Sequence, residues 1–553
     1  MGGVLLFNHW VNRLNKSTTT LFQHKAAYFD ERNLRSNESA AKKEEMVIFP
    51  KYLGPGAGNK LIHIDENDKR YMELRDNISQ ADVNIYLSDI IGIKRLLSDL
   101  RPDECKKIRY PGNLPGISIV ITFRDEPISC LLRTIYSILE TSPINLINEI
   151  ILVDDGSVNL ELKLAVNVHV ANTQKLKHIR NEQPLGLTMA RTRGIMMVAS
   201  EYFIVLDGHI EVNPGWLEPI IYRLVQEPNA LLTSNVGHIS SENFEYILDE
   251  NYQRLCAFDQ ITLGENWLTY SNSYRKARNS SVAPIEYGII PGMMTAMRKE
   301  YFMKLGGFDT GMEVWGYEHM ELSVKVWLCG GRVEMIPCSI IGHLYRNAPW
   351  QKLHPELNYI KKNKLRFILV WMEGEIQKLA LEALQRGNNT KEIYPGDLLE
   401  RYRIKEDNHC RPYQHYIDQI RRISNIFIPE NILRKGNILN TDINLCLDMA
   451  NIDDDYELIT YPCSSEVNQF FLLTDNMNIR IDRQWLKGNI YNNRLSFSTQ
   501  EQILSNQELK WSFDDKSGLI KQGVRCLTAN KSGKVSLEFC NKSPFQKWEW
   551  PSR

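Results

Sequence analysis

Tyr202-Phe203-Ile204-Val205-Leu206-Asp207-Gly208-His209 is the stretch on which the reading of this chain turns. Its first five residues are apolar, β-branched or aromatic, the composition of a buried strand. The strand ends in a carboxylate and an imidazole two positions apart. In extended backbone, residues i and i+2 point the same way, so Asp207 and His209 can converge on one ion, while Gly208 leaves room for a ligand to approach the main chain. An oxygen donor beside a nitrogen donor suits Mn2+ or a similar divalent cation.

Upstream, the chain alternates strand and helix. Ile117 to Thr122 reads as a strand, Ser129 to Thr141 as an amphipathic helix, Glu149 to Val153 as a strand, and Leu160 to Val170 and Thr188 to Ala199 as helices. That order predicts an α/β domain with a mainly parallel sheet covered on both faces, and such sheets bind ligands beyond the carboxyl ends of their strands. The polar residues lie at those ends: Thr122-Phe123-Arg124-Asp125-Glu126, Asp154-Asp155-Gly156-Ser157 and Asp207-Gly208-His209. Solvation explains one acidic strand end; three at one sheet edge point to a nucleotide and metal site.

Composition bounds the rest. A chain of 553 residues with 43% hydrophobic residues forms several globular domains. Lys plus Arg (66) balances Asp plus Glu (67), so no bulk field recruits nucleic acid or an anionic membrane. Ten cysteines without a C-x-x-C pair fit a few disulfides or a reduced cytosolic protein, not a zinc site. N-x-S/T sequons at Asn15, Asn37, Asn77, Asn279, Asn388, Asn530 and Asn541 favour a lumenal compartment. The apolar run Gly3 to Phe7 falls far short of the ~20 residues that cross a bilayer, and residues 1–50 read as a solvated stem. Gly54-Pro55-Gly56 marks a turn where order returns, and Val83, Leu87, Ile90 and Ile91 suggest short helices.

The C-terminal part changes character. Leu365 to Leu384 reads as one helix, and a basic, Tyr-rich stretch at 401–430 as a linker. Over 431–553, short strands and Asn/Asp turns carry a recurrent ending at Asn468-Gln469-Phe470-Phe471, Asn506 to Trp511 and Gln546-Lys547-Trp548. Three such repeats predict a β-trefoil.

Taken together, ITFRDE (121–126), LLRTIYSIL (131–139), EIILVDDGS (149–157), GLTMARTRG (186–194), LDGHIEVNPGWLEP (206–219) and the run from Gly306 to Arg346, which contains WGYEHMELS and IIGHLYR, resemble the polypeptide N-acetylgalactosaminyltransferases in order and spacing. The resemblance implies an A-type glycosyltransferase domain over 51–400, the linker, and a ricin-type lectin domain over 431–553. It implies a Golgi enzyme, membrane-associated in the family, that moves GalNAc from UDP-GalNAc to Ser or Thr hydroxyls of peptides with retention, using Mn2+. By the same correspondence Asp207, His209 and His343 are the metal ligands, and Glu318, Glu126 and Glu211 are acids needed for activity. Thr122, Asp155, Gly208, Trp315, Arg346 and Trp350 belong to the donor site. The implied disulfides are Cys105 with Cys338, Cys329 with Cys410, Cys446 with Cys463, and Cys526 with Cys540; Cys130 and Cys256 remain core thiols. In the lectin repeats only the first keeps an acid, Asp448, with Asn468, to hold sugar; the third has Thr528 in its place.

Six positions depart from the family pattern. Pro291-Gly292-Met293 stands for A-G-G, W-G-G-E-N becomes Trp315-Gly316-Tyr317-Glu318-His319, an arginine two residues before the Gly-Leu pair is Pro184, and another is Met189. These changes bear on the phosphate and sugar contacts and leave the metal set intact. They predict weakened activity, altered donor preference, or a silent glycopeptide-binding relative.

Overall fold

The computed structural model describes Ala57, Lys69 and residues 83–551, apart from 249–253, 279, 347–357, 387–392, 425, 427, 429–430, 453–454, 490 and 499–509. The stem, the Gly54 turn, Trp350, the 506–509 part of the second trefoil repeat and the sequons at Asn15, Asn37, Asn77, Asn279 and Asn388 lie outside the described residues.

The strands of the first half, in chain order, are β1 (Ile117–Phe123), β2 (Ile147–Asp154), β3 (Leu176–Arg180), β4 (Tyr202–Asp207), β5 (Ile210–Val212), β6 (Ala230–Ser240), β7 (Tyr246–Ile247), β8 (Arg254–Phe258), β9 (Glu265–Thr269), β10 (Ile285–Glu286), β11 (Met294–Arg298) and β12 (Arg332–Tyr345). The sheet runs β10-β12-β6-β11-β4-β1-β2-β3, with β5 on β12 and β7 on β6. Strands β3, β2, β1 and β4 are mutually parallel, as the alternation with helices requires. β11 then enters antiparallel between β4 and β6, making the sheet mixed.

Side-chain alternation splits the core in two. Phe203 and Val205 of β4, Val120 of β1 and Val153 of β2 pack on one face; Ile204, Leu206, Ile119, Ile121 and Leu152 pack on the other. The helices Ile128–Thr141 and Leu217–Gln226 cover the second face, through residues such as Leu131, Ile135 and Ile220. Glu318–Leu328 and Leu187–Met197 cover the first.

Two expectations fail downstream. The single helix over 365–384 is two helices, Asn358–Trp371 and Gly374–Leu384, broken where Gly374 takes φ 69°. The stretch read as a linker contains the helices Leu399–Asp407 and Tyr413–Ile423. Tyr413, Tyr416, Ile417, Ile420 and Ile423 are buried in the first-face core. Their spacing is an apolar helical stripe that the basic composition masked.

The predicted trefoil is present, and its repeats share one core. Leu447, Leu486 and Leu527 meet there with Phe471, Trp511 and Trp548. The indoles of Trp511 and Trp548 donate to the carbonyls of Leu486 (3.0 Å) and Leu527 (2.8 Å). Phe471 fills the first-repeat position without that bond. All four expected disulfides form, and Cys130 and Cys256 are free and buried. Among the described residues no helix is long and apolar enough to cross a membrane.

Candidate active site

Asp207 ends β4 opposite Thr122 of β1, at the carboxyl edge of the parallel strands. His209 follows two residues later, after Gly208. His343 comes from β12, whose antiparallel pairing with β5 sets His343 opposite Ile210 and lets Leu344 N–H donate to the His209 carbonyl (3.2 Å). The Cys105–Cys338 disulfide anchors β12 five residues before His343. One ligand atom each from Asp207, His209 and His343 fall within 4.8 Å of one another.

The donor chemistry of this triad fits a divalent cation. His209 Nε2 and His343 Nε2 face each other at 3.1 Å, with His343 Nε2 3.7 Å from Asp207 Oδ2. Bonds of about 2 Å to a shared ion would leave two ligating nitrogens roughly 3 Å apart. Burial holds the His343 imidazole below its ordinary pKa against the opposing pull of Asp207, which keeps it neutral and able to ligate. Burial pushes the Asp207 carboxyl up, but the Arg191 guanidinium and the two imidazoles outweigh it and hold Asp207 well below the carboxylate range.

Around the triad, Glu126 Oε1 lies 3.1 Å from His209 Nδ1, the carboxylate partner that fixes the tautomer of a ligating histidine. The same carboxylate accepts from Arg346 Nη2 at 2.6 and 2.7 Å. Burial would raise Glu126; His209 and Arg346 bring it down to about 2. Thr122 Oγ1 is buried with no hydrogen-bond partner, an open polar contact at the sheet edge.

Other sequence-named residues sit differently. Asp155 has its carboxylate taken by Asn181 Nδ2 (2.7 Å) and by Leu185 N–H (2.8 Å) and Gly186 N–H (2.9 Å), so it shapes the 181–186 loop. Gly208 does not open space for a ligand: a Cβ there would lie 3.0 Å from Phe123 Cβ and 3.1 Å from Glu126 Cγ, so its small size serves packing. Glu211 is buried and held by Arg133 Nε (3.0 Å) and Arg95 Nη1 (3.5 Å), not gathered into the triad. Trp315 is 41% exposed on a loop fixed by buried Asn363, whose amide donates to the carbonyls of Glu313, Trp315 and Gly316. Met293, expected to crowd the donor, packs against the second-face core, and its carbonyl accepts from Asp207 N–H (3.3 Å).

Sequence reasoning missed Arg191. It is buried on the helix Leu187–Met197 and donates to Asp207 Oδ1 (2.7 Å), Glu318 Oε1 (3.1 Å) and the Gly292 carbonyl (2.8 Å). Glu318 Oε2 accepts in turn from Gly316 N–H (2.9 Å). The ring of His319 lies beside Glu318 (3.6 Å), and its Nε2 is 2.8 Å from Glu265, which sequence reasoning also missed. Alternating charges therefore run from Asp207 through Arg191, Glu318 and His319 to Glu265.

Burial opposes a charged His319, yet Glu265 and Glu318 raise it to about 10. A raised folded-state pKa stabilises fully below the unfolded value of about 6.5 and loses that contribution as pH rises through the folded value. The stability gap between the wild type and His319→Asn is therefore expected to be widest below pH 6.5 and to shrink toward pH 10. Thermal unfolding of both proteins from pH 6 to 10 checks this; a gap independent of pH would contradict it.

Comparisons with known proteins bear on this geometry. Residues 118–306 match the glycosyl transferase family 2 model, 274–347 the N-terminal domain of galactosyltransferase, and 434–548 the ricin-type beta-trefoil lectin domain. Mouse polypeptide N-acetylgalactosaminyltransferase 4 is 33% identical over 457 residues, 80% of this chain and 77% of its own length. The chain belongs to the polypeptide N-acetylgalactosaminyltransferase family. Human polypeptide N-acetylgalactosaminyltransferase 13 is 32% identical over 79% of this chain and 77% of its own length. The crystal structure of GalNAc-T7 with UDP, GalNAc and Mn2+ superposes with a TM-score of 0.72 at 25% identity, covering 91% of this chain and 93% of that one. The chain is thus a glycosyltransferase-fold enzyme of this family with an appended trefoil, and its triad lies on the sheet edge at which A-type folds bind donors.

Proposed function

We propose that this chain transfers GalNAc from UDP-GalNAc to Ser or Thr hydroxyls of polypeptides with retention of configuration and Mn2+ dependence. The observation that carries the reading is the convergence of Asp207, His209 and His343, from two distant segments, in a member of this family. Family membership supports the reaction class, and the relative solved with UDP, GalNAc and Mn2+ supports the donor and the cation. Mn2+ held by the triad would supply positive charge to the diphosphate leaving group.

The other roles follow from where each group lies. Glu126 orients His209, and it holds Arg346 until a diphosphate competes for the guanidinium, whose fork suits phosphate oxygens. The open hydroxyl of Thr122 is offered to the uridine, and Asp155 sets the loop beside it. Glu318, fixed by Arg191 and Gly316, faces the donor sugar beside Trp315, and the family resemblance adds Trp350 to the donor contacts. Glu211, on β5, acts as a positioning residue through Arg133. The proposed division is a stem over 1–50, a transferase domain over 51–400, a linker over 401–430 and a lectin domain over 431–553. Golgi residence accords with four disulfides and with exposed sequons at Asn530 and Asn541; membrane attachment follows from the family alone.

Transfer to a Thr-rich peptide, measured with and without Mn2+, tests the reading. The expected result is metal-dependent turnover giving the α-anomer. Tight Mn2+ and UDP binding without turnover would favour the competing reading of a lectin-bearing binder, which Tyr317 and His319 support by standing where the family keeps smaller residues. In the trefoil, Asp448 accepts from Asn468 (2.8 Å) and Gln469 (2.8 Å) in the first repeat. Asp448→Ala is expected to lower retention on a GalNAc-bearing peptide by about tenfold, since loss of a charged acceptor costs on the order of 1–3 kcal/mol. Unchanged retention would move the sugar site elsewhere.

A further inference from the structure

The turn from Asp259 to Glu265 joins β8 to β9 and is held from two sides. On the transferase side, Tyr317 Oη donates to the Leu263 carbonyl (3.2 Å), and His319 Nε2 pairs with Glu265 Oε1 (2.8 Å). On the trefoil side, buried Arg480 pairs with Asp259, and Arg483 Nη1 donates to the Glu265 carbonyl (3.1 Å). The turn itself is stiff. Asp259 Oδ1 accepts from Ile261 N–H (3.0 Å), Thr262 N–H (2.9 Å) and Thr262 Oγ1 (3.1 Å), and Asp259 N–H donates to the Gly264 carbonyl (2.9 Å). Arg483 also packs on Gly264, where a Cβ would come within 3.2 Å of its Cδ.

Two of the transferase residues that reach this turn, beside Lys364, which donates to the Thr262 carbonyl (3.0 Å), are the two that depart from the W-G-G-E-N pattern of the family. Tyr317 occupies φ 74°, a left-handed conformation that glycine adopts freely and tyrosine adopts at a cost of order 1–3 kcal/mol. A bulky residue keeps such backbone only where its surroundings over-determine it. The Leu263 carbonyl and the Lys364 ammonium, 5.4 Å from the tyrosine ring centroid, are those surroundings. His319 also lies against the donor loop, since a Cβ on Gly292 would sit 3.2 Å from its Nδ1, and through Glu318 and Arg191 it is linked to Asp207.

We propose that Tyr317 and His319 are positioning residues that fasten the donor-sugar loop to a turn clamped by the trefoil, so that the seating of the trefoil through Arg480 sets the affinity for UDP-GalNAc. The inference rests on the transfer reaction proposed above. It differs from a lectin acting on acceptor choice alone, because the contacts end on the donor side of the cleft, at Glu318 and Arg191.

A double-mutant cycle on the full chain tests it, pairing Arg480→Met with Tyr317→Gly/His319→Asn, which restores the family residues and cuts both links. Arg480→Met alone is expected to raise the KM for UDP-GalNAc about fivefold, with kcat and the peptide KM little moved; coupling of this size is usual for residues in one network. In the Tyr317→Gly/His319→Asn background the same substitution is expected to change the donor KM by less than twofold, and Arg480→Lys to recover most of the single-variant loss. Equal effects of Arg480→Met in both backgrounds, or an effect on the peptide KM alone, would overturn the proposal. If the wild type shows no turnover, the transfer reading fails separately, and the same cycle is read as UDP-GalNAc affinity by calorimetry in Mn2+. Should Arg480→Met not fold, Arg483→Ala, whose side chain is 45% exposed, carries the same comparison through the Glu265 carbonyl.

Discussion

Replacing His343 by alanine is expected to lower transfer to peptide by about three orders of magnitude while leaving the protein folded. The magnitude comes from the leaving group: a bound divalent cation supplies several kcal/mol to the departing diphosphate, and each ~1.4 kcal/mol is tenfold in rate. The fold survives because the His343 ring contributes little else. Its Nδ1 has no hydrogen-bond partner, its nearest aromatic neighbours are Tyr345 and His209, and the main-chain pairing of β12 with β5 does not use the side chain. Mn2+ titration followed by intrinsic fluorescence, beside a transfer assay, separates the cases. Loss of both metal affinity and turnover with an unchanged melting temperature is the expected pattern; wild-type turnover in the variant would remove the triad from the reaction.

That prediction could be made in outline from the sequence, because Asp207 and His209 stand two positions apart where a plainly apolar strand ends. His343 could not be placed by period, since it lies 134 residues from His209 and meets it only through β12 and β5. It was legible through the IIGHLYR run and the family resemblance. The parallel half of the sheet and the trefoil repeats were legible for a similar local reason: apolar alternation and turn residues recur within short windows. Arg191 and Glu265 were not. An arginine within an ordinary helix and a glutamate opening a hairpin carry no local mark, and their importance comes from tertiary closure around Glu318 and His319. Tyr317 was legible as a departure, but its left-handed backbone and its bond to Leu263 were not, because neither follows from its neighbours in sequence. The helices of 399–423 were hidden by charge, which masked the stripe of Tyr413, Tyr416, Ile417 and Ile420.

Arg191→Met is expected to be the most destabilising single change in the transferase core. The arginine is buried and, among the described residues, is the cation that pairs with both Asp207 and Glu318, while it also satisfies the Gly292 carbonyl. Methionine fills much of the volume but removes the cation between the two carboxylates, leaving Glu318 only its ion pair with His319. Breaking a buried ion pair in this way costs about 3–5 kcal/mol. Burial raises both carboxyls, but Arg191 and the two imidazoles hold Asp207 down, and His319 and then Arg191 hold Glu318 down, so the pH dependence follows from two depressed pKa values to which Arg191 contributes. A depressed folded-state pKa stabilises above the unfolded value and loses that contribution as pH falls through the folded one. The deficit of Arg191→Met is therefore expected to be full near pH 7 and to narrow as pH drops below about 4, where the unfolded carboxyls protonate. Mn2+ replaces part of the missing charge at Asp207 but none at Glu318, so the metal should raise the melting temperature of the variant more than that of the wild type without closing the gap. Arg191→Lys should recover only part of the loss, because one ammonium cannot span Asp207, Glu318 and a carbonyl as the guanidinium fork does. Chemical and thermal unfolding at pH 7 and below the unfolded carboxyl values of about 4, with and without Mn2+, measure all of these; an Arg191→Met deficit below about 1 kcal/mol at pH 7 would show that the two carboxylates do not depend on this cation.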